Sequence, residues 1–103
     1  MDYRIDFEKI KWNNPAIGVR FKSFIFENKQ VRLVEFTDEF IEPDWCTKGH
    51  IGYLLEGELE INFDGNIVKY GTNDGIFIPK GPKHKHMAKC ITKTVKLILI
   101  EEI

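Results

Sequence analysis

A chain of 103 residues that is 43% hydrophobic and 30% charged, with eight phenylalanines, is not disordered and can build one core, burying about 65% of its unfolded surface. Its 15 basic and 16 acidic groups leave a net charge of −1, which gives no bulk attraction to nucleic acid or to an anionic membrane surface. No apolar run approaches the ~20 residues of a membrane-spanning helix, no leader pattern precedes a cleavage site, and Cys46 and Cys90 alone make no secreted-type disulfide framework. The chain therefore reads as a single cytoplasmic domain over residues 1–103 with both thiols free.

Residues 1–16, with Trp12 ahead of Asn13-Asn14-Pro15, read as an irregular or extended lead-in that covers a sheet edge or a barrel end. Strands follow at 19–27 and 30–36, joined near Asn28-Lys29, a register that pairs Phe26 with Val31, Phe24 with Leu33 and Lys22 with Glu35. A strand is expected at 51–55. From Glu58 to Phe63 apolar and polar residues alternate without exception, as in a strand with one wet face. Asp64-Gly65 is a favoured pair for a two-residue hairpin turn, because both central positions take positive φ. Residues 66–70 then return antiparallel, placing Ile61 opposite Val68, Leu59 opposite Tyr70 and Glu60 opposite Lys69, with apolar pairs on one face and opposite charges on the other. Further strands are expected at 75–78, 84–91 and 95–101, bounded by Gly, Pro, Asn or Thr. At least eight short strands without helical periodicity predict an all-β fold, an antiparallel barrel with alternate residues turned inward.

Two segments carry chemistry. Between Asp44 and Gly57, Cys46 and His50 stand four residues apart just before a hydrophobic strand. Between Asp74 and His86, a short strand and the turn Pro79-Lys80-Gly81-Pro82 lead to His84 and His86. Together they suggest one site assembled from two places. Asp44 and Cys46 share a face if extended, as do His84, His86 and Cys90. Gly52 has the parity of His50, so it either leaves room for a ligand or marks a β-bulge or tight packing beneath an aromatic such as Phe77. Lys80, Lys83, Lys85, Lys89, Lys93 and Lys96 crowd the last third of the chain; they form either a rim for an anion or an ordinary solvated face.

The run Tyr53-Leu54-Leu55-Glu56-Gly57-Glu58-Leu59, followed by Asp74 through Gly81 and His84, resembles the two signature segments of the cupin superfamily across residues 40–90. The resemblance implies a single-domain cupin-type, jelly-roll-like barrel with a metal inside. Counted back from Gly57, the family's glutamate position falls on His50 and its two histidine positions on Cys46 and Asp44, while the histidine of the second segment falls on His84. Asn73 stands where the family has glycine. The implied ligand set is Cys46, His50 and His84, with Asp44 adding a carboxylate, and zinc, iron or nickel suits such sulfur, nitrogen and oxygen donors. His86 is then a reserve ligand or an acid/base group.

These features predict a metal-binding protein that acts on a small polar or anionic metabolite through a Lewis-acid ion, with Gly52, Phe77, Lys83 and Lys85 around the substrate. A thiolate ligand argues against oxygen chemistry, which would oxidise Cys46. Two alternatives stand beside it: a non-catalytic small-molecule-binding module with a metal-free pocket, and a thiol or metal sensor. The resemblance also implies a homodimer, with apolar residues on both faces of 96–100 in support.

Overall fold

The protein is described by a computed structural model over residues 3–103. The first two positions of the expected lead-in, Met1 and Asp2, lie outside the described residues. The remainder of that lead-in holds a 3-10 turn, Phe7–Lys9, and the short strand β1, Asn13–Ala16. Then come β2 (Val19–Phe26), β3 (Lys29–Thr37), β4 (His50–Glu56), β5 (Leu59–Phe63), β6 (Asn66–Tyr70), β7 (Gly75–Ile78), a 3-10 turn at Pro82–His84, β8 (Met87–Cys90) and β9 (Thr94–Glu102). Every pairing is antiparallel, in a six-stranded sheet of order β1-β2-β3-β9-β4-β7 and a three-stranded sheet of order β6-β5-β8. The all-β, jelly-roll-like expectation holds, but as two facing sheets rather than a barrel closed by a continuous ladder.

Alternation builds the core. On β9, Val95, Leu97 and Leu99 turn inward while Lys96, Ile98 and Ile100 turn outward. They meet Val34 and Leu54 from the flanking strands and Leu59 and Ile61 from the smaller sheet. Burying each such aliphatic side chain is worth about 1.5–3 kcal/mol.

The hairpin β5–β6 has the predicted register, Leu59 opposite Tyr70 and Ile61 opposite Val68, with Asp64 and Gly65 both at positive φ. The β2–β3 hairpin is displaced by two residues from expectation. Phe26 pairs with Lys29, Phe24 with Val31 and Lys22 with Leu33, because the turn is only Glu27-Asn28, with Glu27 in the left-handed region at φ 57°. A strand starting at 84 also fails to form. Gly81 at φ 127° and Pro82 at the first turn position wind residues 82–84 into a 3-10 turn, so the strand begins at Met87.

Candidate metal centre

Three strands of the large sheet converge at one end of the interior. Alternation that puts Val95, Leu97 and Leu99 inward puts Glu101 inward as well, and the β3–β9 register sets Gln30 opposite Glu101 with Arg32 one inward step further. His50 enters from the first position of β4. Opposite them, residues 38–49 run without a regular strand, but Cys46 and His86 form an isolated antiparallel bridge. The Cys46 N–H donates to His86 O and the His86 N–H to Cys46 O, each at 2.9 Å.

This arrangement gathers Cys46, His50 and His86, whose candidate ligand atoms all lie within 4.8 Å of one another. Cys46 Sγ is 3.7 Å from His50 Nε2, close to the sulfur–nitrogen edge of about 3.6 Å that tetrahedral zinc would span. The far side of each imidazole is occupied. His50 Nδ1 lies 2.5 Å from Glu101 Oε2, and His86 Nδ1 lies 3.0 Å from the main-chain oxygen of His84. An acceptor at Nδ1 fixes the proton there and turns Nε2 toward the shared space, as second-layer partners do at metal sites.

Glu101 is almost fully buried, so its charge must be met. Arg32 donates through Nε and Nη2 to its two oxygens at 2.6 and 2.7 Å, and Gln30 adds a third donor at 3.0 Å. Such charge-assisted bonds offset desolvation. Burial pushes the Glu101 carboxyl up, but His50 and Arg32 outweigh it and hold the group at about 2. Hydrogen bonds from His50 and His86 bring the Cys46 thiol down to about 5. Burial lowers His50, but the bonds to Cys46 and Glu101 prevail and raise it to about 9. Without metal, Cys46 and His50 are thus a thiolate–imidazolium pair at neutral pH. His86 is also raised: burial opposes this, but Cys46 and the His84 carbonyl override it.

The cluster opens onto a cavity of ≈ 290 Å³ between the sheets. Phe21, Phe36, Phe40, Leu59, Ile61 and Ala88 are among its walls, and its polar lining is confined to Arg32, Glu42, Cys46, His50 and His86. Burial, and then the nearby Cys46 charge, raise the Glu42 carboxyl.

The predicted residues divide. Cys46 and His50 meet as expected, and the second segment does complete the cluster, but through His86. His84 is exposed on the 3-10 turn and contributes its carbonyl, because the turn breaks the two-residue alternation that made His84 and His86 equivalent. Asp44 is exposed and accepts from the Trp45 N–H at 2.8 Å. Gly52 packs against β9, where a Cβ would come within 2.6 Å of Ile98 O, and it does not line the cavity. Phe77 stands 73% exposed on the outer face. Lys83 is exposed, while Lys85 lies 3.8 Å from Asp64 Oδ1 with its ammonium over the Trp45 ring, so neither reaches the cavity. Sequence reasoning missed Glu101, Arg32 and Glu42. A glutamate in phase with Val95, Leu97 and Leu99 was a readable signal for the first; Glu42, in a segment without periodicity, gave none.

A jelly-roll pair of sheets folded over an inward cluster of sulfur and imidazole donors places this protein in the cupin superfamily. Within it, the chain belongs to the EutQ family, whose sequence model, described as ethanolamine utilisation protein EutQ, matches residues 6–101. Solved structures share the fold at low identity. KdgF from Halomonas sp. superposes with TM-score 0.76 at 17% identity, covering 92% of this chain and 87% of that one. An RmlC-like cupin from Shewanella frigidimarina NCIMB 400 gives TM-score 0.76 at 17% identity over 99% and 91% of the two chains. The EutQ protein of Clostridium difficile gives 0.68 at 21% identity over 96% and 75%. No curated protein sequence matches the chain.

Proposed function

We propose that this protein is a cupin that binds a divalent metal ion through Cys46, His50 and His86 and works on a small polar-headed molecule held in the adjoining cavity. The observation that carries the reading is that the candidate ligand atoms of Cys46, His50 and His86 lie within 4.8 Å of one another while Nδ1 of each imidazole is engaged by an acceptor and His50 Nε2 stands 3.7 Å from Cys46 Sγ. The mixed sulfur and nitrogen donor set fits zinc, and also iron(II) or nickel(II). When bound, such an ion supplies Lewis acidity to a substrate oxygen. The chain's own groups do the rest. Glu101 holds the Nδ1 proton of His50, the aromatic walls exclude water, and Glu42, lifted by burial, gives or takes a proton at the cavity edge. The lysines expected to anchor an anion stand outside the cavity lining, which removes the support for an anionic substrate.

The outer face of the large sheet suits a second copy of the chain. Ile51 lies beside both Phe77 and Ile100, and Tyr53 beside Ile98, forming an apolar patch across β7, β4 and β9. Oppositely charged pairs flank it, Lys96 with Glu35 and Lys29 with Glu102, and a two-fold partner would present them in reverse order. No helix among the described residues is long and apolar enough to cross a membrane, and free thiols at Cys46 and Cys90 suit a cytoplasmic setting.

Metal analysis of protein purified without a histidine tag tests the site. One equivalent of metal is expected, lost in Cys46→Ala and His86→Ala and kept in His84→Ala. Metal-free protein of full thermal stability overturns the reading, and loss in His84→Ala with retention in His86→Ala restores the ligand set expected from sequence.

A further inference from the structure

We infer that the occupant of this cavity is a small amphiphile: a compact apolar body of one ring or a short branched chain, carrying an uncharged or cationic hydrogen-bond-donating head that meets Glu42. The inference rests on the reading of this cavity as the working site. Its first support is size. A dry cavity of about 150 Å³ lined by aliphatic and aromatic side chains holds benzene, so ≈ 290 Å³ accepts a ring with a short polar extension.

The second support is the character of the walls. Leu59, Ile61, Ile76, Ile78, Leu97 and Leu99 line the chamber along with the aromatics, and no lysine does. A sugar acid or hydroxy acid would leave most of its hydroxyls facing hydrocarbon, and each unpaired polar group buried there is penalised.

The third support is charge. Arg32 is the one permanent cation in the lining, and its guanidinium is spent: it closes on both oxygens of Glu101 and lies 5.0 Å from the Phe21 ring centroid. Glu42 and Cys46 are the acidic groups in the lining. Ionised beside a bound divalent ion, they would balance its two positive charges and leave no surplus positive charge for an anion. A hydroxyl or ammonium can instead donate to the Glu42 carboxylate, as a carboxylate at the edge of an apolar pocket is suited to accept.

The experiment titrates the zinc-loaded protein by calorimetry and methyl NMR with benzyl alcohol, benzylamine, benzoate and glucuronate. Zinc stoichiometry is measured on the same samples, and the titrations are repeated on metal-free protein. Benzyl alcohol and benzylamine should bind at least tenfold more tightly than benzoate and glucuronate, with shifts at Leu59, Ile61 and Leu97. Glu42→Gln should narrow that gap at least fivefold, and Ala88→Phe, which fills the chamber, should weaken both favoured probes at least tenfold. The NMR spectrum shows that each variant is folded. Selection of benzoate or glucuronate, or no saturable binding of either favoured probe, in protein that holds one zinc overturns the inference while leaving the metal reading intact. Selective binding of the favoured probes by protein that takes up no zinc sinks the metal reading and upholds the amphiphile.

Discussion

The imidazole of His50 on β4 and the carboxylate of Glu101 on β9 face each other across adjacent strands, with Nδ1 2.5 Å from Oε2. Arg32 grips the same carboxylate from β3. Glu101→Gln should therefore weaken zinc binding about 10- to 100-fold, the usual effect of removing a partner behind a metal-binding histidine. Leaving Arg32 without its anion should also cost about 3 kcal/mol of stability. Zinc competition titration and urea unfolding of the metal-free protein read the two effects separately.

The acid limb of stability should trace the same carboxylate. Glu101 sits near 2 in the fold against an ordinary 4.5, so the folded state binds fewer protons than the unfolded chain between those values. Its stabilisation is complete above about pH 4.5 and is lost as pH falls toward 2. Urea midpoints measured from pH 6 to pH 2.5 should fall in that window, and the fall should be shallower in Glu101→Gln.

Cys46 in metal-free protein should react with iodoacetamide as a thiolate far below the range of a free thiol. Its value of about 5 predicts an alkylation rate that is nearly flat from pH 8 to pH 6 and halves near pH 5. In His50→Gln the midpoint should move upward, and saturating zinc should protect the sulfur in the native protein. A midpoint in the native protein at the ordinary thiol value would remove the thiolate–imidazolium pair.

Gly52 provides a test of packing against ligand contact. A Cβ at this position meets Ile98 O at 2.6 Å and Leu99 Cδ2 at 2.7 Å, so Gly52→Ala should destabilise the protein by about 1–3 kcal/mol. Zinc affinity in the folded variant should be unchanged within twofold. An undiminished melting temperature together with weakened metal binding would return Gly52 to the site.

For the outer face, Phe77→Lys and Ile51→Glu should each shift the sedimentation profile from dimer to monomer at micromolar concentration without altering zinc stoichiometry. Exposed apolar side chains at 73% and 50% contribute to association only when another surface covers them. A native protein that is monomeric at 100 µM disposes of the dimer.

What could be read in advance follows from how local each determinant is. The β5–β6 hairpin was legible because strict alternation and Asp64-Gly65 specify register and turn within a dozen residues. The β2–β3 turn was not, since Glu27 takes positive φ with no glycine to signal it. Cys46 and His50 were legible as chemistry, yet their partner was misplaced by one strand step when Gly81 and Pro82 wound the chain into a 3-10 turn. Arg32 was hidden because β3 is apolar on both faces, so pattern alone could not tell which face turns inward. Glu42 depends on the path of residues 38–49, which only tertiary packing decides.

The rung that joins Cys46 to His86 is made of main chain alone, one N–H and one carbonyl from each residue. The spacing between these two positions is consequently indifferent to what their side chains are. A side chain at either position can therefore be exchanged without rebuilding the frame that aims it. The fold supplies a socket with fixed pins, and evolution or a designer can change the chemistry of the cluster by replacing a single pin.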